Sequence, residues 1–216
     1  VFVEDLATAV KNTSNNYVPG ISRIATVKDV KPYNVNGGEF VGSKWIVRDL
    51  NTLNDPQGIG FGVNGNVVTV PAGTYKIKWR APAYHCDRHT SRLAYSSSFA
   101  VNDDNKLTTG VSYITGETSL SNADGNSFSY SQGIISSLTL TSTTYIQVQH
   151  YSADGSPGAP LTGLGACSNL NSDDNDVTSD IDSVYTTLVI EDLKTAVKNA
   201  GDDYVSGISR RAKVED

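Results

Sequence analysis

The chain repeats its own beginning at its end, and no other feature constrains it as much. Residues 1–29 read VFVEDLATAVKNTSNNYVPGISRIATVKD, and residues 188–216 read LVIEDLKTAVKNAGDDYVSGISRRAKVED. Seventeen of these 29 positions are identical, without a gap and at a constant offset of 187. A long repeat of this kind is the mark of similar modules joined in series. It predicts one full period of a longer tandem array plus an overlap. Serial modules build fibres, stalks and adhesins more often than they build enzymes.

Removing the duplicated ends leaves about 160 residues, enough for one domain with a real core. The chain has no Met, so residue 1 is expected to be processed or interior, and the overlap favours interior. Net charge is −6, from 17 basic and 23 acidic residues with no basic block. Phosphate binding needs clustered Lys and Arg, so a nucleic-acid partner is not expected. No apolar run approaches the roughly 20 residues of a membrane-spanning helix. Cys86 and Cys167 allow one disulfide; two buried thiols are the alternative. Asn12-Thr13-Ser14 is a glycosylation sequon that its repeat counterpart, Asn199-Ala200-Gly201, lacks.

Residues 4–12 place Leu6, Ala9 and Val10 at helical spacing, with acids at the start and a Lys near the end. That pattern predicts a short helix there and at residues 191–199. The shared Tyr-Val-x-Gly-Ile-Ser-Arg that follows keeps aromatic and branched residues in register, as an ordered connector docked on a neighbour would. Between the two copies the pattern changes to period two. Tyr75, Ile77, Trp79 and Ala81 alternate with Lys76, Lys78 and Arg80, giving one dry and one wet face. Val67–Val70 leads in through a Pro71-Ala72-Gly73 turn. Leu138–Thr141, Tyr145–His150 and Val184–Ile190 are further strand-like runs, and Ser43–Asp49 is read as the first core strand. Many short strands separated by Gly, Asn and Asp predict a sandwich.

These stretches resemble the tumour-necrosis-factor-like and complement globular-head jelly rolls, as found in phage tail and microbial extracellular proteins. The resemblance is carried by WIVRDLNTL (45–53), VTVPAGTYKIKWRAP (68–82), RHTSRL (88–93), GETS (116–119), QVQH (147–150), Gly-Leu-Gly (163–165) and VYTTLVI (184–190). It implies an all-β, antiparallel jelly-roll β-sandwich with its termini close together, here flanked by short helical connectors. It also implies trimers that serve in binding or structure. The polar insertions at 102–106 and 169–182 and the repeated connector depart from that pattern. If Val1–Val3 corresponds to Leu188–Ile190, the chain opens with the closing strand of a preceding module. Strand donation between copies is one way of building fibres.

Candidate chemistry is sparse. On a strand, His85, Asp87 and His89 would share one face, and zinc accepts such ligands, but their spacing and number match no standard site. His150 reads as a strand residue rather than a base. The Asn171–Asp182 loop is rich in the hard oxygen ligands that calcium favours, yet lacks a closing bidentate Glu. No nucleophile-elbow motif appears. No cofactor is expected.

The expected organisation is therefore residues 1–29 as the end of a preceding repeat and connector, 30–190 as the jelly roll, and 191–216 as the connector onward. The expected role is a non-enzymatic structural module of an extracellular or virion-attached fibre, its partners being neighbouring copies of itself. Inter-module contact is expected at Leu6, Val10, Tyr17, Val18, Ile21 and Arg23, and at their equivalents Leu193, Val197, Tyr204, Val205, Ile208 and Arg210. The alternative is a trimeric receptor- or glycan-binding domain of a viral or phage tail fibre, reading its ligand with loops 102–109, 122–127 and 169–182. A hydrolase acting on surface polysaccharide is a third and weaker reading.

Overall fold

The computed structural model describes residues 23–33, 35–121, 127–153, 163–165 and 182–193, with two further short strands. Among these residues none is helical. The strands are β1 (Arg23–Lys31), β2 (Trp45–Val47), β3 (Thr52–Asn54), β4 (Gly62–Asn64), β5 (Val67–Val70), β6 (Gly73–Tyr84), β7 (Asp87–Ser96), β8 (Ser112–Ser121), β9 (Phe128–Leu140), β10 (Thr144–Ser152), β11 (Ser183–Asp192), β12 (Ala196–Lys198) and β13 (Tyr204–Ser206).

One sheet has the order β3-β1-β11-β6-β9 and the other β4-β5-β10-β7-β8, with β2 also pairing with β10. The pairings are antiparallel. The chain crosses between the sheets repeatedly, which makes a two-sheet jelly roll. β6 shows why the sequence folds this way. Tyr75, Ile77, Trp79 and Ala81 are all buried, while Lys78 and Arg80 are exposed. Between β4 and β5 the chain reverses over Gly65 and Asn66, with φ of 55° and 67°. Two left-handed residues suit the tight hairpin whose twist matches its strands.

The closing strand β11 lies inside its sheet, between β1 and β6. Arg23 sits opposite Asp192, so the two ends of the sandwich are paired neighbours. Three expectations need correction. The first strand is β1, not Ser43–Asp49, of which only Trp45–Val47 is strand. β1 also begins inside the segment assigned to the connector. The described residues of 191–199 are not helical: Glu191 and Asp192 finish β11, and Ala196–Lys198 pair with Tyr204–Ser206. Side-chain charge reinforces the extended form, since Glu191 lies 3.3 Å from Lys76 and Asp192 3.6 Å from Arg23, each on an adjacent strand. The equivalent helix at 4–12 lies outside the described residues.

The inward faces meet in one aliphatic cluster. Val68, Val70, Leu93, Ile146 and Val148 come from one sheet, and Ala25, Val27, Ile77, Leu188 and Ile190 from the other. A smaller cluster of Phe40, Ala83, Cys86 and Leu164 lies apart from it.

Candidate functional site

Toward that second cluster the interior becomes polar. Arg48 is fully buried. Its guanidinium donates to Thr186 Oγ1 at 2.6 Å, Leu164 O at 2.7 Å and Pro82 O at 3.4 Å. Burial lowers its pKa to about 10, which leaves it charged at neutral pH. Asp29, also fully buried, lies 3.4 Å from Lys31, which is bonded in turn to Asp49. Burial raises the Asp29 pKa.

Next to this charge lies a histidine pair. His89 Nδ1 is 2.9 Å from His150 Nε2, and His89 Nε2 is 2.6 Å from Ser129 Oγ. Of the two facing nitrogens one must donate and one accept, so the pair cannot be doubly protonated. Burial, then the Arg48 charge, pushes His89 down to about 4, and the same causes push His150 well down. Trp79 Nε1 donates to Ser91 Oγ at 2.8 Å, and Ser91 meets Ser131 at 2.7 Å. Trp79 and Ser131 belong to one sheet and Ser91 to the other, so these bonds join the two layers. Gly133 gives the indole its space: a Cβ there would come within 2.1 Å of the ring.

Buried, neutral and bonded, these histidines are placed to hold the sandwich together. His85, Asp87 and His89 do not share one strand face. His85 and Asp87 have φ of 54° and 57° at the β6–β7 turn, while His89 points into the interior. Among the described residues no three His, Cys, Asp or Glu side chains are grouped to hold a metal. Cys86 is buried against Phe40, Ala83 and Leu164. Cys167, and the calcium candidate Asn171–Asp182 apart from Asp182 itself, lie outside the described residues.

The outer faces offer surfaces that ligands or partners could reach. On the β1-containing sheet, a groove of about 480 Å³ runs between β11, β6 and β9. Lys78, Arg80, Glu117 and Gln132 line it with Ile134 and Val189. Ile134 is 58% exposed, and Arg80 stacks on Tyr130 at 3.5 Å. On the opposite sheet, Arg92 lies between the rings of Trp45 and Tyr113, at 3.9 and 3.8 Å. Its guanidinium donates twice to Gln149 Oε1, at 2.9 and 2.8 Å. Nothing in the linear sequence marks this stack, because its members come from β2, β7, β8 and β10. The candidate loop 102–109 is anchored: Gln147 donates to Asn105 O and accepts from Leu107 N.

Of the expected inter-module residues, Arg23 lies on β1 beside Asp192. Leu193 is exposed and its N–H donates to Thr74 O at 2.8 Å. Val197 pairs with Val205, and Tyr204 with Lys198, in the β12–β13 ladder. Leu6, Val10, Tyr17, Val18, Ile21, Ile208 and Arg210 lie outside the described residues.

No family model matches the chain, and no curated protein does. Solved structures do. A crystal structure of murine APRIL at pH 5.0 is similar with a TM-score of 0.43 and 10% identity, covering 79% of this chain and 98% of that one. The globular domain of zebrafish complement 1qA is similar with a TM-score of 0.40 and 12% identity, covering 78% and 94%. The likeness concerns the fold alone.

Proposed function

We propose that the chain is a non-enzymatic structural module, repeated to build an extracellular or virion-attached fibre through ordered connectors. The observation that supports this most is the offset of 187, set beside a sandwich whose first and last strands are paired. Each module then receives and returns the chain at one place, and a constant connector sets one repeated geometry. Stability in such a series comes from each module together with its nearest-neighbour interfaces. Among the described residues no helix is long and apolar enough to cross a membrane.

Tyr204→Ala tests the connector. The domain is expected to keep its thermal transition while filaments shorten or vanish in electron micrographs. Regular filaments of unchanged length would refute the connector's role. A second reading, a trimeric glycan- or receptor-binding domain, draws on the Trp45–Arg92–Tyr113 stack, since aromatic faces beside a cation suit sugar rings and acidic groups. Light scattering separates the two readings: open-ended polymers favour the fibre, a discrete trimer the binder.

A further inference from the structure

The later copy of β1 keeps the features that hold β1 in place. β1 turns Ala25, Val27 and Asp29 inward, all fully buried, and sets Arg23 beside Asp192. Residues 210–216, RRAKVED, repeat residues 23–29, RIATVKD. The identities are Arg210, Ala212, Val214 and Asp216, the counterparts of those four residues. The changes, Ile24 to Arg211, Thr26 to Lys213 and Lys28 to Glu215, all fall on the outward positions. Period-two retention of one face is what a strand needs in order to fill the same place in a sheet.

A register supplies the second observation. β12 and β13 pair Ala196 with Ser206, Val197 with Val205 and Lys198 with Tyr204. If continued without a slip, that ladder would set Asp192 opposite Arg210 and Leu188 opposite Val214. β1 meets β11 with Asp192 opposite Arg23 and Leu188 opposite Val27. Arg210 and Val214 are the repeat counterparts of Arg23 and Val27. One unslipped hairpin, 188–198 against 204–214, would therefore lay the copy along β11 in the register that β1 holds.

We infer that the β1 side of β11 accepts either of two strands of this chain: β1 itself, or residues 210–216 folded back as a long hairpin. The two strands carry the same Ala, Val and Asp at the inward positions of β1 and the same Arg at the position that faces Asp192. A displaced β1 has a partner at hand in residues 1–5, VFVED, which copy the LVIED of 188–192. Paired under the same offset, Asp5 would stand opposite Arg23. The role of this exchange rests on the fibre reading. In a series of modules, β1 of each module would complete the sheet of the module before it, and the junction would be a shared strand.

Disulfide trapping in the full chain tests the exchange. Thr26 lies directly opposite Val189, and Lys213 is the repeat counterpart of Thr26. The variant T26C/V189C/K213C lets one cysteine choose between two partners. After mild oxidation, peptide mapping of the monomer fraction is expected to find the 26–189 link and, in about one molecule in ten or more, a 189–213 link, because covalent capture accumulates minor states. Mapping also separates these links from any that involve Cys86 or Cys167. A 26–189 link alone, or 189–213 links found only between chains, overturns the inference. I24C/E191C/R211C repeats the competition two pairs further along should the first variant misfold. Electron microscopy of the unmodified chain keeps the two ideas apart. Filaments without a 189–213 link would retire the exchange and leave the fibre standing; the link without filaments at any concentration would do the reverse.

Discussion

The two ends of the sandwich interior are lined by the same strands and yet are built differently. Along β10, Ile146 and Val148 face inward at one end, and His150 and Ser152 at the other. β7 passes from Leu93 to Ser91 and His89, and β11 from Ile190 and Leu188 to Thr186. The aliphatic end holds the sheets together by burial, which is roughly proportional to area and indifferent to direction. The polar end does so through directed bonds, Trp79 to Ser91, His89 to Ser129 and Arg48 to Thr186, which link one sheet to the other. A network of that kind specifies how the layers sit, and it is costly to leave half-satisfied.

Removing the centre of the polar end has the largest expected effect. Arg48→Ala strips a donor from Thr186 and two carbonyls and removes the second cation acting on buried Asp29, which keeps Lys31, for a loss of about 3–5 kcal/mol in urea unfolding. Arg48→Lys does not restore it, because a point charge cannot reproduce the planar fork. A loss under about 1 kcal/mol would erase the contrast between the two ends.

The histidines come next, through pH. An unfolded chain takes up protons near the ordinary value of 6.5, whereas folded His89 resists until about 4 and His150 resists as well. Their contribution is complete above pH 6.5 and is lost as pH falls, for His89 toward 4 at roughly 1.4 kcal/mol per pH unit. Asp29 has the opposite sign: its raised pKa favours folding at low pH and weakens it as pH rises through the carboxylate range. Stability measured against pH in H89Q/H150Q isolates the pair, and the slope between 6.5 and 4 is expected to flatten. An unchanged slope would mean that the histidines do not carry it.

The aliphatic end gives the smallest effect. Ile146→Val removes one buried methylene and is expected to cost about 1 kcal/mol by the same urea measurement. A cost near that of Arg48→Ala would show that this end too is a specific, directional fit.

Much of the fold was legible. The alternation Tyr75–Ala81, the Pro71–Gly73 turn and the order of strand-like runs pointed to the jelly roll, because a half-buried strand writes its two faces into adjacent residues. β1 was not recognised, although Ala25 and Val27 alternate in the same way. Asp29 breaks the apolar series, and its burial beside Lys31 and Arg48 depends on residues that are distant along the chain. The helical spacing of Leu193, Ala196 and Val197 misled for a related reason. Spacing alone fits a helix, but the partner strand Tyr204–Ser206 supplies the ladder that decides otherwise. The polar interior was invisible: His89 and His150 stand 61 positions apart, and each alone looks like an ordinary strand residue.

The sequence by itself determined the repeat, its offset and the class of fold, because identity and period two are properties of neighbouring residues. Only the tertiary structure decided that β1 pairs with β11, that the interior has two unlike ends, and that Ala25, Val27 and Asp29 form the inward face of β1. Those depend on which side chains meet across a sheet or between sheets, where the partners are far apart along the chain and low local polarity turns a single hydrogen bond or charge into a constraint.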